Sequence, residues 1–251
     1  MVNNTVALQS LSDPKRPLSF HWNAAGKEPA ALFRPEQPDR WYWLGTGAMA
    51  GDRLYVFCQV VRRKEEGAPG FQFDWFGVEL VRVANPLEAP EKWKVERCRL
   101  PEGADRPRLS GACLVEGEHL YVYGLFPAKA WKALHRPMAV ARIPLKKLAA
   151  GEGDGWQFWC RGERGGRWDD RPADLMPLFT DGAPEFSVVR ARGLDGYLAV
   201  YTPLGLGPTI LARHAPRPDA VGRGWRGSAR PSPPWPPWRP RPGASAPDRN
   251  R

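Results

Sequence analysis

Apolar residues in this chain fall in short runs broken by turn chemistry, and one arrangement of runs recurs three times. The segments GTGAMAGDRLYVFCQVV (45–61), LSGACLVEGEHLYVYGLF (109–126) and FSVVRARGLDGYLAVYTPL (186–204) each carry a short apolar run, a glycine-containing turn and a run rich in aromatic and β-branched residues. Gly51-Asp52, Glu116-Gly117-Glu118 and Gly193-Leu194-Asp195-Gly196 are the turns. Glycine supplies positive φ there without steric cost, so each segment predicts a β-hairpin.

A third strand follows each hairpin, at WFGVELVRV (75–83), MAVARI (138–143) and TILARH (209–214), and each ends in a proline-containing turn. A tryptophan-anchored fourth strand comes next in the first two units, KWKVERCRL (92–100) and GWQFWCRG (155–162). Equivalent leucines, Leu54, Leu120 and Leu198, stand 66 and 78 residues apart. That spacing exceeds the roughly 40 to 50 residues of common propeller repeats but still provides one four-stranded sheet per unit.

The predicted fold is therefore all-β: a partial five-bladed β-propeller of four-stranded antiparallel blades, forming an incomplete ring. The chain opens on NNTVALQ (3–9) and PLSFHWN (17–23), which read as the third and fourth strands of a blade. The predicted division is a half blade over 1–40, blades over 41–103 and 104–170, a partial blade over 171–218 and a tail over 219–251.

Composition supports many short strands, with 26 Gly and 28 Pro, and the 12 Trp, 10 Phe and 6 Tyr supply the apolar area a packed core needs. Charge changes the picture only after it is divided along the chain. Of the net +10, residues 219–251 contribute +5, from seven Arg against two Asp. The remaining 218 residues carry an ordinary charge and no Lys/Arg stripe, so a nucleic-acid partner is not expected.

The tail holds eight prolines and no Leu, Ile, Phe, Tyr or Lys. Proline lacks the ladder donor, and so little apolar material does not offset ordering entropy, so a disordered or polyproline II segment is expected. Its Arg, Pro, Gly and Ala bias reads as GC-rich DNA translated in a shifted frame. The PSPPWPP stretch also contains P-x-x-P spacing suited to small recognition domains.

Cys58, Cys98, Cys113 and Cys160 form no C-x-x-C pair, and His21, His119, His135 and His214 show no zinc spacing, so no metal is expected. Buried free thiols are the plain reading of the cysteines. No phosphate-binding glycine loop, dinucleotide fingerprint or G-x-S-x-G elbow occurs, hence no cofactor. The N-terminus lacks a basic segment with an apolar core, no run of about 18 apolar residues exists, and no membrane partner is expected. Neither compartment nor oligomeric state is assigned.

The segments NNTVALQ, WYWLGTGAMAGDRLYVF, FGVELVRVANPLEAPEKW, GAPEFSVVR and GYLAVYTPLGLGPTILARHAPRP resemble the DUF4185 family, across residues 3–218. That family is related in fold to five-bladed glycosidase propellers such as glycoside hydrolase family 43. Its members begin with a further strand pair carrying a G-D-T-like motif and continue past A-x-x-P through a G-P-W-S-like turn, so the resemblance implies truncation at both ends. It also implies action on, or binding of, a bacterial polysaccharide, arabinan-type in some relatives, with this fragment itself inactive. A non-catalytic carbohydrate- or protein-binding propeller is the alternative.

In a propeller the first strand of each blade lines a central channel, and the segments leading into those strands form a funnel. Those segments are Trp41-Tyr42-Trp43, Arg108-Leu109-Ser110 and Ala183-Pro184-Glu185. Glycoside cleavage needs two carboxyl groups across the scissile bond. Glu185, in a setting that resembles the general acid of family 43, is the first candidate, against a scaffold role at the channel mouth. Asp74 in FQFDWFG is the second, against a strand-edge role. Trp41, Tyr42 and Trp43 are candidates for stacking on sugar rings, with Arg108 and Ser110 beside them.

Overall fold

The computed structural model describes residues 3–25, 28–67, 72–101, 103, 106–132, 135–205, 207–220 and 226–231. Over these residues the chain is built of antiparallel sheets with few helices, and no sheet closes into a barrel.

All three predicted hairpins form, and each opens a meander of strands. Strands β5 (Arg40–Ala50), β6 (Arg53–Arg63), β7 (Phe73–Val83) and β8 (Val95–Cys98) make one sheet in sequence order. The β5–β6 turn is closed by Gly51 at φ +62°. Strands β9 (Arg108–Glu116), β10 (His119–Leu125), β11 (Met138–Pro144), β12 (Gln157–Gly162) and β13 (Gly165–Asp169) make the second sheet, one strand more than expected. The extra strand pairs across the Glu163-Arg164 turn, where Trp168 meets Trp159 edge-on at 5.1 Å.

The third sheet joins β14 (Phe186–Arg190), β15 (Tyr197–Tyr201) and β16 (Thr209–Ala215) to β17 (Arg226–Pro231). β17 corrects the expectation for the tail, because a fourth strand forms inside it, pairing Arg226 with His214 through to Pro231 with Thr209. The physical reason is local: the eight prolines begin at Pro231, so every residue from 219 to 230 keeps its amide donor. Residues 232–251, to which the rest of that expectation applies, lie outside the described residues.

The N-terminal segments NNTVALQ and PLSFHWN pair as predicted, as β1 (Val6–Leu8) with β2 (Ser19–His21). A second small hairpin, β3 (Asn23–Ala25) with β4 (Glu28–Ala30), was not foreseen. Nor was the helix α1 (Leu145–Ala150), which starts after Pro144 and stops at Gly151 in the left-handed region, φ 74°.

Three apolar clusters follow the sheets. One gathers Tyr123, Met138, Val140, Leu178 and Ala199 between the second and third sheets. Another gathers Phe57, Leu80, Leu120, Ile143 and Phe158 between the first and second. The third packs Tyr42, Cys58 and Val81 of the first sheet on Leu32 and Phe33. Asn4 fixes that last contact: its Nδ2 donates to the Phe33 carbonyl at 2.9 Å while its Oδ1 accepts the Phe33 amide at 2.9 Å. No helix of the described residues is long and apolar enough to cross a membrane.

Candidate functional site

The first strands of the three large sheets lie together, with β9 between β5 and β14. Glycine makes this approach feasible. A Cβ at Gly45 would collide with the Ser110 carbonyl oxygen and reach 2.9 Å from that of Phe57. At Gly111 it would strike the Phe186 ring and come 3.1 Å from the Pro184 carbonyl oxygen. Thr46 Oγ1 then donates to Cys113 Sγ at 3.3 Å, tying β5 to β9. These contacts set Gly45 in the middle of β5, Ser110-Gly111 near the start of β9 and Pro184 just before β14 in a row, so the three first strands pack side by side.

An aromatic and guanidinium array links the three sheets. Arg108 lies over the Trp75 ring, with Cζ 3.7 Å from its centroid, and over Trp131 at 4.7 Å. Arg136 approaches Trp131 at 5.7 Å and donates from Nη1 to the Leu204 carbonyl at 2.6 Å. The Leu204–Gly205 turn is close to Pro184, 3.2 Å from a Cβ built at Gly205. The array therefore passes from β7 of the first sheet, through the second, to the turn after β15 in the third. Such contacts between guanidinium and aromatic faces are worth about 0.5–2 kcal/mol, more when desolvated. Burial holds Arg108 below its ordinary pKa.

A cavity of about 1010 Å³ opens between the first and second sheets, bounded by Trp75, Glu79, Arg97, Arg106, Arg108 and Phe158 among others. Arg97 organises one wall. It bonds Glu36 at 3.2 Å, lies 3.6 Å from Glu79 and donates to the Arg34 carbonyl at 2.6 Å.

The residues singled out from sequence separate on this geometry. Tyr42 is fully buried. Its hydroxyl donates to Glu79 and accepts from Arg97 Nε at 3.3 Å, and burial, then Glu79, raises its pKa. Tyr42 therefore packs the core and is withdrawn as a stacking residue. Its neighbours point the other way along the pleat. Trp43 is 36% exposed and meets Phe73 edge-on at 4.4 Å, and Trp41 is partly buried.

Ser110 is buried, with its backbone against Gly45, whereas Arg108 sits at the centre of the array. Glu185 is exposed at the start of β14, and has no hydrogen bond or ion pair among the described residues. Asp74 pairs with Lys64 at 3.3 Å near the β6–β7 connection, away from any contact with Glu185.

Sequence reasoning missed Trp75, Trp131 and Arg136. Trp131 and Arg136 belong to the long connection FPAKAWKALHRP (126–137), and a tryptophan in a long strand connection is a usable sign of a site. It also missed Asp181, four positions before Glu185. Arg213 Nη2 donates to both Asp181 oxygens at 2.9 Å, and the Tyr201 hydroxyl donates at 2.9 Å, so that carboxylate is a structural clamp.

Comparison with known proteins corrects the resemblance drawn from sequence. The family model that matches residues 1–220 is Domain of unknown function (DUF5005), not DUF4185. The short segments that suggested DUF4185 are hairpin scaffolding, common to many meander sheets, and the arabinan-type expectation falls with it. No curated protein matches the chain. Among solved structures, one described as "a putative hydrolase" from Bacteroides ovatus ATCC 8483 is similar in fold, with a TM-score of 0.53 and 16% identity. The match covers 81% of this chain and 51% of that one, so this chain spans about half of that protein's length.

Proposed function

The chain belongs to the DUF5005 family, and from the packing of the three first strands and the aromatic array beside them we propose that the sheets are blades of a β-propeller whose mouth binds carbohydrate. The observation that carries the reading is the Trp75–Arg108–Trp131 array, which places Trp75 and Arg108 on the wall of the cavity between the first and second sheets, with the Trp131 ring also against Arg108. Flat aromatic faces take the apolar face of a sugar ring, and guanidinium edges take its hydroxyls. Trp43 extends this aromatic surface along β5.

Titration calorimetry against a panel of soluble plant and bacterial polysaccharides tests it. Trp75→Ala and Trp131→Ala should each weaken binding about tenfold, the equivalent of roughly 1.4 kcal/mol. Affinity unchanged in both variants would remove the array from recognition.

A hydrolytic reading is favoured by one specific observation, the exposed carboxylate of Glu185 at the start of β14, together with the fold likeness to a protein described as a hydrolase. In that reading Glu185 protonates the leaving glycosidic oxygen while a second carboxylate activates water or attacks the anomeric carbon. Asp74, held by Lys64, is the second candidate. Reducing-end release by the wild type, abolished in Glu185→Gln with binding retained, is the expected result. Turnover that survives the substitution would exclude Glu185.

A further inference from the structure

We infer that the saccharide bound at this mouth is acidic, and that Arg108 receives its carboxylate. The inference rests on the carbohydrate-binding reading and narrows it to one class of ligand.

Arg108 lacks an acceptor among the described residues. Arginines in this chain that are partly withdrawn from water generally have an acceptor. Arg97 has Glu36 and Glu79, Arg213 has Asp181, Arg82 has Glu96, and Arg136 has the Leu204 carbonyl. Arg108 is half-buried at the head of β9, yet its contacts are two aromatic rings, with no hydrogen bond and no ion pair among the described residues. A ring face satisfies the charge in part and gives nothing to the five in-plane N–H donors. A desolvated guanidinium without an acceptor is costly, and its lowered pKa has burial as the sole cause.

Geometry then selects the ligand chemistry. With the Trp75 and Trp131 rings against the guanidinium, the donors left over lie along its edge, and that edge matches two oxygens in a plane, as in a carboxylate. The cavity beside it is suited to such a ligand. Its two carboxylates among the described residues, Glu36 and Glu79, are already held by Arg97, so neither repels an incoming anion as a free charge. A sugar ring carrying the carboxylate would stack on the indoles flanking Arg108, so one ligand meets both halves of the array. Residues that hold a charge between aromatic faces are also pre-oriented, which limits the entropy lost on binding.

The test uses trigalacturonate and its trimethyl ester, which share the sugar backbone while methylation removes the charge and the paired carboxylate oxygens, titrated into the full chain by calorimetry. The acid should bind about tenfold or more tightly than the ester, with a preference that shrinks as salt rises. Arg108→Gln should abolish the preference. Arg108→Lys, which keeps the charge and loses the planar fork, should retain part of it, and thermal unfolding midpoints of both variants should confirm that they fold. Equal binding of acid and ester by the wild type would overturn the inference and leave the carbohydrate reading standing. Absence of binding to both would overturn the inference, and with no binding across the polysaccharide panel it would overturn the carbohydrate reading as well; a preference that persists in Arg108→Gln would overturn the assignment to Arg108.

Discussion

Tyr42 and Trp43 are adjacent in sequence and opposite in fate. One is fully buried against Glu79 and Arg97 while the other stands at the surface against Phe73. The pleat sends successive side chains to opposite faces, so an aromatic run such as Trp41-Tyr42-Trp43 contains core and surface residues by construction. Composition alone does not say which parity faces the core. A different limit hid Asp181, whose role depends on Arg213, a residue of β16 that is distant in sequence. Cys58 shows what burial does to a single group: desolvation, then the Glu79 charge, pushes its thiol up to about 12. Thiol reagent at pH 8 should leave Cys58 unmodified in the folded protein while the partly exposed Cys98 and Cys113 react, and denaturant should release it. Mass mapping of the labelled peptides checks this. Early labelling of Cys58 would show that the β5–β6–β7 sheet opens locally.

Elements were the most legible level, and for a physical reason. A hairpin is encoded by neighbours in sequence, so glycine turns between apolar runs sufficed to place β5–β6, β9–β10 and β14–β15. β13 and the β3–β4 hairpin are short and polar, with little to distinguish them from loop before their partners are known. The close approach of first strands was also invisible, because nothing local tells a packing glycine from a turn glycine. Gly45→Ala should therefore destabilise the protein by about 1–3 kcal/mol, since the new methyl meets two backbone oxygens that have no rotamer to retreat into. Gly51→Ala is a contrasting control, with open space around it and strain only from its positive φ. Chemical denaturation of the two variants measures the difference.

The β1–β2 hairpin carries a pH-dependent tether, in which His21 on β2 bonds Glu91 of the 3-10 turn Pro90–Lys92. The hydrogen bond from His21 holds the Glu91 carboxyl below the usual carboxylate range. A lowered folded pKa contributes stability that is present above the unfolded value, about 4.3, and lost as pH falls through the folded one. Acidification below that value should loosen the hairpin before the large sheets respond. Amide chemical shifts of Val6–His21 followed against pH report it, and Glu91→Gln should flatten the profile.

At the level of the whole molecule, three meander sheets pack through their first strands, and each needs its outer strand. β17 covers the outer edge of β16, which would otherwise present unpaired backbone groups to solvent or to another chain. A chain ending at Ala220 should therefore show faster amide exchange over Thr209–Ala215 and increased light scattering at matched concentration, with β5–β8 unaffected. Long-range arrangement was the least legible level. Sequence spacing predicted which strands follow one another in a sheet but not which sheet faces which, and the aromatic array depends on that second question. Trp75 comes from β7, Arg108 from β9, and Trp131 and Arg136 from the connection between β10 and β11, so only assembled sheets bring the array together.

The ladder between β16 and β17 also bears on how freely this stretch can change. Its pairing reads amides and carbonyls, and a strand made of Arg, Gly, Ser and Ala meets that demand with almost no apolar content. What the ladder demands of its occupant is an unbroken supply of amide donors. A proline scan of 226–230 should therefore speed amide exchange along Thr209–Ala215 wherever it removes a donor the pairing uses, making this strand a cover whose backbone alone guards its neighbour.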